Sequence, residues 1–142
     1  MTADDIIAML GLAPHPVGGW YRQTFASDAP GSDRPAATAI HFLLKEGEAS
    51  HWHRVDADEM WFWHSGAPLV LSVSPDDLGP ARALVLGPDL ERQALQGFVP
   101  AGHWQAARTT GAWTLVSCAV APGFRFDGFE LAAPGFDIPP GP

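Results

Sequence analysis

Ser50-His51-Trp52-His53-Arg54-Val55-Asp56-Ala57-Asp58-Glu59-Met60-Trp61 reads as a strand, an acidic turn and the opening of a second strand. In extended backbone, side chains at i and i+2 point to the same face. His51 and His53 are therefore expected to aim their imidazoles into one cavity, with Glu59 returning to it from the next strand. Imidazole and carboxylate are good ligands for divalent first-row metals. The same groups transfer protons near neutral pH. The alternative is a wet strand face on which Glu59 pairs with Arg54.

Working outward, the rest of the chain punctuates short apolar runs with turns. The 142 residues are 46% hydrophobic and 17% charged, with 6 Trp and 8 Phe, which is the composition of a packed domain. Its 15 Gly and 14 Pro follow no collagen period and point to an all-β fold with many turns. Strand-like segments run over residues 18–25, 36–44, 50–55, 59–64, 69–74, 81–86, 98–99, 113–120 and 124–131, a pattern of sandwich or barrel type. Thr2 to Leu10 reads as a short helix capped by Thr2 and ended by Gly11, so residues 1–11 form an N-terminal helical segment. Ser27 to Pro35 is the most loop-like internal stretch, and the Pro/Gly-rich tail 134–142 is expected to fray or wrap the outside. One domain over residues 1–142 accounts for all of this.

Charge narrows the partners. The formal net charge is −8, and the eight basic residues are scattered. Nucleic acid and anionic membranes, which call for a basic face, are not expected partners. No stretch approaches the ~20 apolar residues of a membrane-spanning helix, and the N-terminus lacks the pattern of a signal peptide. A soluble cytoplasmic protein is the expectation. Cys118 is the only cysteine and sits in an apolar run, where a small buried core residue is the simplest reading.

Other residues offer chemistry. Glu59, Trp61 and Trp63 share a strand face, so Trp61 accompanies Glu59 into any cavity and can stack on a sugar or ring there. In Pro100-Ala101-Gly102-His103-Trp104-Gln105 the Pro-x-Gly turn feeds a new strand. Gln105 offers a donor and an acceptor to a ligand, but the turn leaves open whether it or His103 looks inward. Arg22, flanked by aromatics, is suited to a carboxylate or phosphate. His41, in an apolar strand, is a core histidine or a cavity residue. His15 and His64 look like loop or strand-end positions.

These residues resemble the first and second motifs of the cupin superfamily. Gly47, His51, His53, Glu59 and Gly66 follow the order of the first motif, with intervals differing by a residue or two. Pro100 and Gly102 match the second, but Gln105 stands where its histidine falls. Closer still is the likeness to the cupin-5 (DUF985) family, often labelled predicted sugar epimerases. It rests on Gly18-Gly19-Trp20-Tyr21-Arg22, Leu43 to Gly47, His53-Arg54-Val55 with Glu59-Met60-Trp61, Pro100 to Ala106 and Val120 to Phe124. Gln23 departs from it, occupying a position where a Glu is expected, and His51 falls at a variable one.

The resemblance implies a double-stranded β-helix, the cupin or jelly-roll barrel, with a short N-terminal helix. It also implies a homodimer with a pocket at the barrel mouth. Three functions follow. One is a sugar epimerase- or isomerase-like enzyme acting on a polar small-molecule ligand, with His53 and Glu59 as the catalytic pair and Arg22, His41, Trp61 and Gln105 holding substrate. Another is a metal-dependent cupin with Fe, Mn, Ni or Zn on His51, His53, Glu59 and Gln105. The third is a cupin that binds a small ligand without catalysis.

Overall fold

The alternation of apolar and polar residues lays out two antiparallel sheets that face each other across one core. A computed structural model describes residues 1–141. It opens with the helix α1 (Ala3–Leu10), followed by β1 (Ala13–Pro14), β2 (Trp20–Ser27), β3 (Ala37–Lys45), β4 (Ala49–Val55) and β5 (Asp58–Gly66). Then come β6 (Leu69–Ser74), β7 (Arg82–Leu86), β8 (Gln96–Val99), β9 (Trp104–Thr109), β10 (Trp113–Ala121) and β11 (Phe129–Leu131). One sheet has the order β1-β2-β3-β10-β5-β8 and the other β11-β4-β9-β6-β7. The strand order departs from chain order in both sheets, giving the jelly-roll barrel that the motifs imply.

Burial follows the period of two. Along β10, Thr114, Val116, Cys118 and Val120 are buried, while Leu115, Ser117 and Ala119 between them are only partly so. Phe42 and Leu44 of β3 join Leu69, Leu71 and Val73 of β6 in the main core. Each such aliphatic side chain contributes about 1.5–3 kcal/mol of transfer free energy. Leu43 points to the opposite face yet is fully buried, because α1 lies over it and packs Ile6 there. Thr2 and Asp5 form a capping box at the start of α1, and Gly11 closes it in the left-handed conformation.

Two segments differ from the sequence expectation. Residues 124–131 are not one strand, because a 3-10 turn over Phe126–Gly128 precedes β11. That turn brings Phe124, Phe126 and Phe129 together as an edge-to-face cluster. The loop 27–35 is an excursion that ends in a clamp. Arg34 donates both terminal nitrogens to the Asp56 carboxylate and its Nε to Gly123 O. This ties the β4–β5 turn to the segment leading into the aromatic cluster. The tail wraps the outside of the five-stranded sheet, with Ile138 buried and Asp137 accepting from Trp52 Nε1. Its last residue, Pro142, lies outside the described residues.

Candidate functional site

A β-bulge decides which side chains enter the barrel. On β9, Gln105 and Ala107 are two residues apart, yet their partners on β4, His53 and Ser50, are three apart. The extra residue puts Ser50 and His53 on the inner face and leaves His51 and Trp52 outside. The expectation that His51 and His53 share a cavity is therefore overturned. The His51 ring meets Ala133 O through Nε2 at 2.9 Å on the outer surface, and Trp52 packs beneath the tail.

Inside, β4 and β5 present His53 and Glu59 to one cavity of about 250 Å³. Its mouth carries Phe124, Phe126 and Phe129, and its wall adds Tyr21 and Gln23 from β2. A smaller recess of about 30 Å³, lined by Ser50, His15, His53, Glu59 and Trp61 among others, forms the floor. Gly18 makes this closure possible. It has φ +109° and lies so close to Ala49 O that a β-carbon would collide with that oxygen. The turn before it thereby lies across the barrel end and carries His15 into the cavity.

A donor chain orders the carboxylate. Trp61 Nε1–H donates to Gln105 Oε1 at 2.9 Å, and Gln105 Nε2–H donates to Glu59 Oε1 at 3.0 Å. Because an indole nitrogen only donates, the amide orientation is fixed. All three residues are buried, and the Cys118 thiol also hydrogen-bonds to Glu59. Arg54 pairs instead with Glu130 at 2.8 Å, which leaves Glu59 without a cation. Burial accordingly pushes the Glu59 carboxyl up to about 7, against the lowering effect of its Gln105 and Cys118 hydrogen bonds.

The two inward histidines are neutral and of opposite tautomer. His53 Nδ1 lies 2.7 Å from His51 O, an acceptor only, so Nδ1 carries the proton and Nε2 is left as an acceptor. His15 Nδ1 accepts from the Val17 N–H at 3.1 Å, so its proton is on Nε2. Burial lowers both rings to about 4. For His53 this outweighs the raising effect of the His51 carbonyl.

Several candidates lie elsewhere. Arg22 is exposed and donates to Leu10 O at 3.3 Å, because strand alternation turns its neighbours Tyr21 and Gln23 inward. His41 likewise faces outward between inward Ile40 and Phe42, and its Nδ1 lies 3.2 Å from Ser117 Oγ. The same hydroxyl is 2.6 Å from His64 Nε2. Trp61 is a buried wall of the floor recess, set edge-to-face on Phe42. Gln105 rather than His103 looks inward, and its environment is that of an anchor for Glu59. Sequence reasoning missed His15, Ser50, Gln23 and the phenylalanine mouth. The turn residues Pro14-His15-Pro16-Val17-Gly18-Gly19 signal a reversal there, but not the side on which the histidine falls.

The metal set does not assemble. His51 is outside, and the one ligating atom of Gln105, its oxygen, is taken by Trp61. His53 Nε2 and the Glu59 carboxyl remain, fewer than the three protein ligands of a usual catalytic site. Among the described residues no group of three or more His, Cys, Asp or Glu is placed to hold an ion.

Comparison with known proteins agrees with this architecture. No curated protein matches the chain. Protein SO0799 from Shewanella oneidensis is 39% identical, with a TM-score of 0.88 over 94% of this chain and 85% of that one. A hypothetical protein from Leishmania major is 35% identical, with a TM-score of 0.83 over 94% and 88%. Bacillus subtilis oxalate decarboxylase shares the fold at 14% identity, with a TM-score of 0.64 over 83% of this chain and 29% of that one. The model of the Cupin superfamily (DUF985) matches residues 4–132, nearly the whole barrel with its helix, and the chain belongs to that family.

Proposed function

We propose that this cupin transfers a proton on a small, uncharged, hydroxyl-rich ligand of monosaccharide size, as an epimerase- or isomerase-like enzyme. The observation that carries the reading is Glu59, a buried carboxyl raised to about 7 beside a neutral imidazole in a cavity. Such a group gives and takes protons at neutral pH with little bias. As the carboxylate it removes a proton from a carbon beside a carbonyl. As the acid it returns that proton to the same face of the enediol at the neighbouring carbon, which isomerises the ligand, while inversion at the first carbon requires the enediol to turn over before it is reprotonated. His53, whose charging is costly at about 4, serves as a hydrogen-bond acceptor for the ligand. Gln105 and Trp61 are positioning residues that hold Glu59. No Lys or Arg lines the cavity among the described residues, so a phosphate or carboxylate on the ligand meets no counter-charge. The cavity lies below the ~300–1,000 Å³ of drug-sized pockets.

The test is a panel of neutral reducing sugars incubated with the protein in deuterated water and followed by NMR. Deuterium is expected beside the carbonyl of one of them, with the rate falling about 10²–10⁴-fold in Glu59→Gln. Binding without exchange favours the non-catalytic ligand-binding cupin. Stoichiometric Fe, Mn, Ni or Zn in the purified protein, lost in His53→Ala, would instead favour a metal-dependent relative of the oxalate decarboxylase, a protein with Mn(II) centres. A panel with neither binding nor exchange ends the sugar reading.

The proposal extends to a homodimer in the cytoplasm. No helix among the described residues is long and apolar enough to cross a membrane. The edge strand β8 and the residue before it leave Phe98 and Leu95 about half exposed, an apolar margin of the kind a second copy covers. Sedimentation is expected to give twice the monomer mass, and Phe98→Glu to halve it. A native protein that sediments as a monomer refutes the dimer.

A further inference from the structure

We propose that the floor of the barrel cavity is a binding site for one neutral hydroxyl oxygen, enclosed by Ser50, His15, His53 and Glu59. A water occupies it in the free protein, and one terminal hydroxyl of the ligand replaces that water in the complex. The second half rests on the function proposed above; the first half does not.

The starting observation is Ser50. The residue is 1% exposed, and its Oγ is the one buried side-chain polar atom without a hydrogen-bond partner among the described residues. Buried hydroxyls are almost always paired, so an unpaired one marks a place where something else binds. Ser50 faces inward because it stands opposite Ala107, a member of the main core. The recess it lines offers about 30 Å³ to a water-sized sphere, more than the ~10–15 Å³ that one water needs. A single oxygen therefore fits there.

The lining is also complementary to a hydroxyl. The ring nitrogens not engaged with backbone are a donor on His15 and an acceptor on His53. Ser50 can donate or accept, and Glu59 donates as the acid or accepts as the carboxylate. A water or alcohol oxygen has one hydrogen or two to give and two lone pairs to fill, and finds partners for both. An anion meets no cation here, whereas a neutral O–H finds a donor and acceptors without forcing Glu59 to ionise. The site therefore selects a neutral O–H, which makes Ser50 a specificity-determining residue.

Crystal structures of the ligand-free protein and of Ser50→Ala and Ser50→Val decide the first half. The native protein is expected to show one ordered water within hydrogen-bond distance of Ser50 Oγ and of a histidine nitrogen. Its occupancy should fall in Ser50→Ala, and the water should be absent in Ser50→Val. An empty floor in the native protein, with Ser50 Oγ turned to a backbone carbonyl, overturns the proposal. If a variant fails to fold, the native density still gives the answer.

For the second half, any neutral monosaccharide that binds is expected to bind about tenfold or more weakly to Ser50→Ala. Its deoxy analogue, lacking the buried hydroxyl, should bind the native protein equally weakly and be insensitive to Ser50→Ala. Losses that add instead of coinciding refute the ligand half. If no monosaccharide binds, the proposed function fails, and the water density alone judges the floor site.

Discussion

Glu59→Gln is expected to outlast the native protein in alkali. The unfolded chain ionises this carboxyl near 4.5, while the native state keeps its proton to about 7. Between those values the unfolded state has released a proton that the native state still holds. Stability contributed by the buried neutral acid is thus complete below 4.5 and is lost as pH rises to about 7, by about 3 kcal/mol in all. Gln cannot ionise, and its carbonyl still accepts from Gln105 Nε2. The variant's advantage should therefore grow from about pH 5 to about pH 8 and then level, reaching roughly 10 °C in Tm.

The histidines act in the opposite direction. His15 and His53 titrate near 6.5 when unfolded and at about 4 in the native state. As pH falls below 6.5, the unfolded chain takes up their protons first, and native stability declines. Two histidines outweigh one glutamate between 4.5 and 6.5, so the native protein should be most stable near pH 6.5. Thermal melts across this range provide the check. A Tm difference between native and Glu59→Gln that is constant with pH would mean that Glu59 is not a buried acid.

Gly18→Ala should cost about 3 kcal/mol or more. Part is the positive φ of +109°, which side chains rarely adopt; at related left-handed positions the cost is about 1–2 kcal/mol. The rest is collision of the new β-carbon with Ala49 O, a backbone atom at the start of β4 that cannot step aside. Gly47→Ala is the control, because Gly47 has φ +82° but nothing within 4 Å of the added carbon. The excess loss at Gly18 over Gly47, read by urea denaturation, measures the close approach alone. Because the same turn holds His15 over the cavity, Gly18→Ala should also disturb the His15 ring resonances. Equal losses at the two glycines would dismiss the contact.

The barrel was largely legible in the sequence, because alternation and turn residues are local signals. The runs at 36–44, 69–74 and 113–120 carry their inward faces openly. Thr2, Asp5 and Gly11 likewise specify α1 without help from the rest of the chain. The break at Phe126–Gly128 was not legible, since Phe124 to Leu131 has the composition of a strand. Its departure is secured by Arg34, far away in sequence, holding Gly123 O.

The candidate site was half legible. His53 and Glu59 were visible from residue type and from their place on facing strands. His51, Arg22 and His41 were misplaced for two different reasons. A bulge depends on how two strands pair, which one strand's residues do not reveal, and that removed His51. Arg22 and His41 carry suggestive chemistry, but strict alternation puts them outside once Tyr21, Gln23, Ile40 and Phe42 are known to be inside. His15 and Ser50 were passed over because nothing in their own neighbourhood signals a partner. Their meeting is made by the Gly18 contact.

The extra residue in β4 works as a frameshift in three dimensions. Counting by twos from Ser50 would send Trp52 and Arg54 inward, whereas the folded strand sends His53 and Val55. Removing either His51 or Trp52 would bring Ser50 and His53 to a spacing of two, matching Ala107 and Gln105 on β9, so that His53 and Val55 stay inward and only the bulge is lost. The portable unit of this pocket is thus the inward pair Ser50 and His53, and the spacing between them is set by whether the host strand carries the bulge. Grafted onto a regular strand, the two would have to be written with one residue between them, and onto a bulged strand with two.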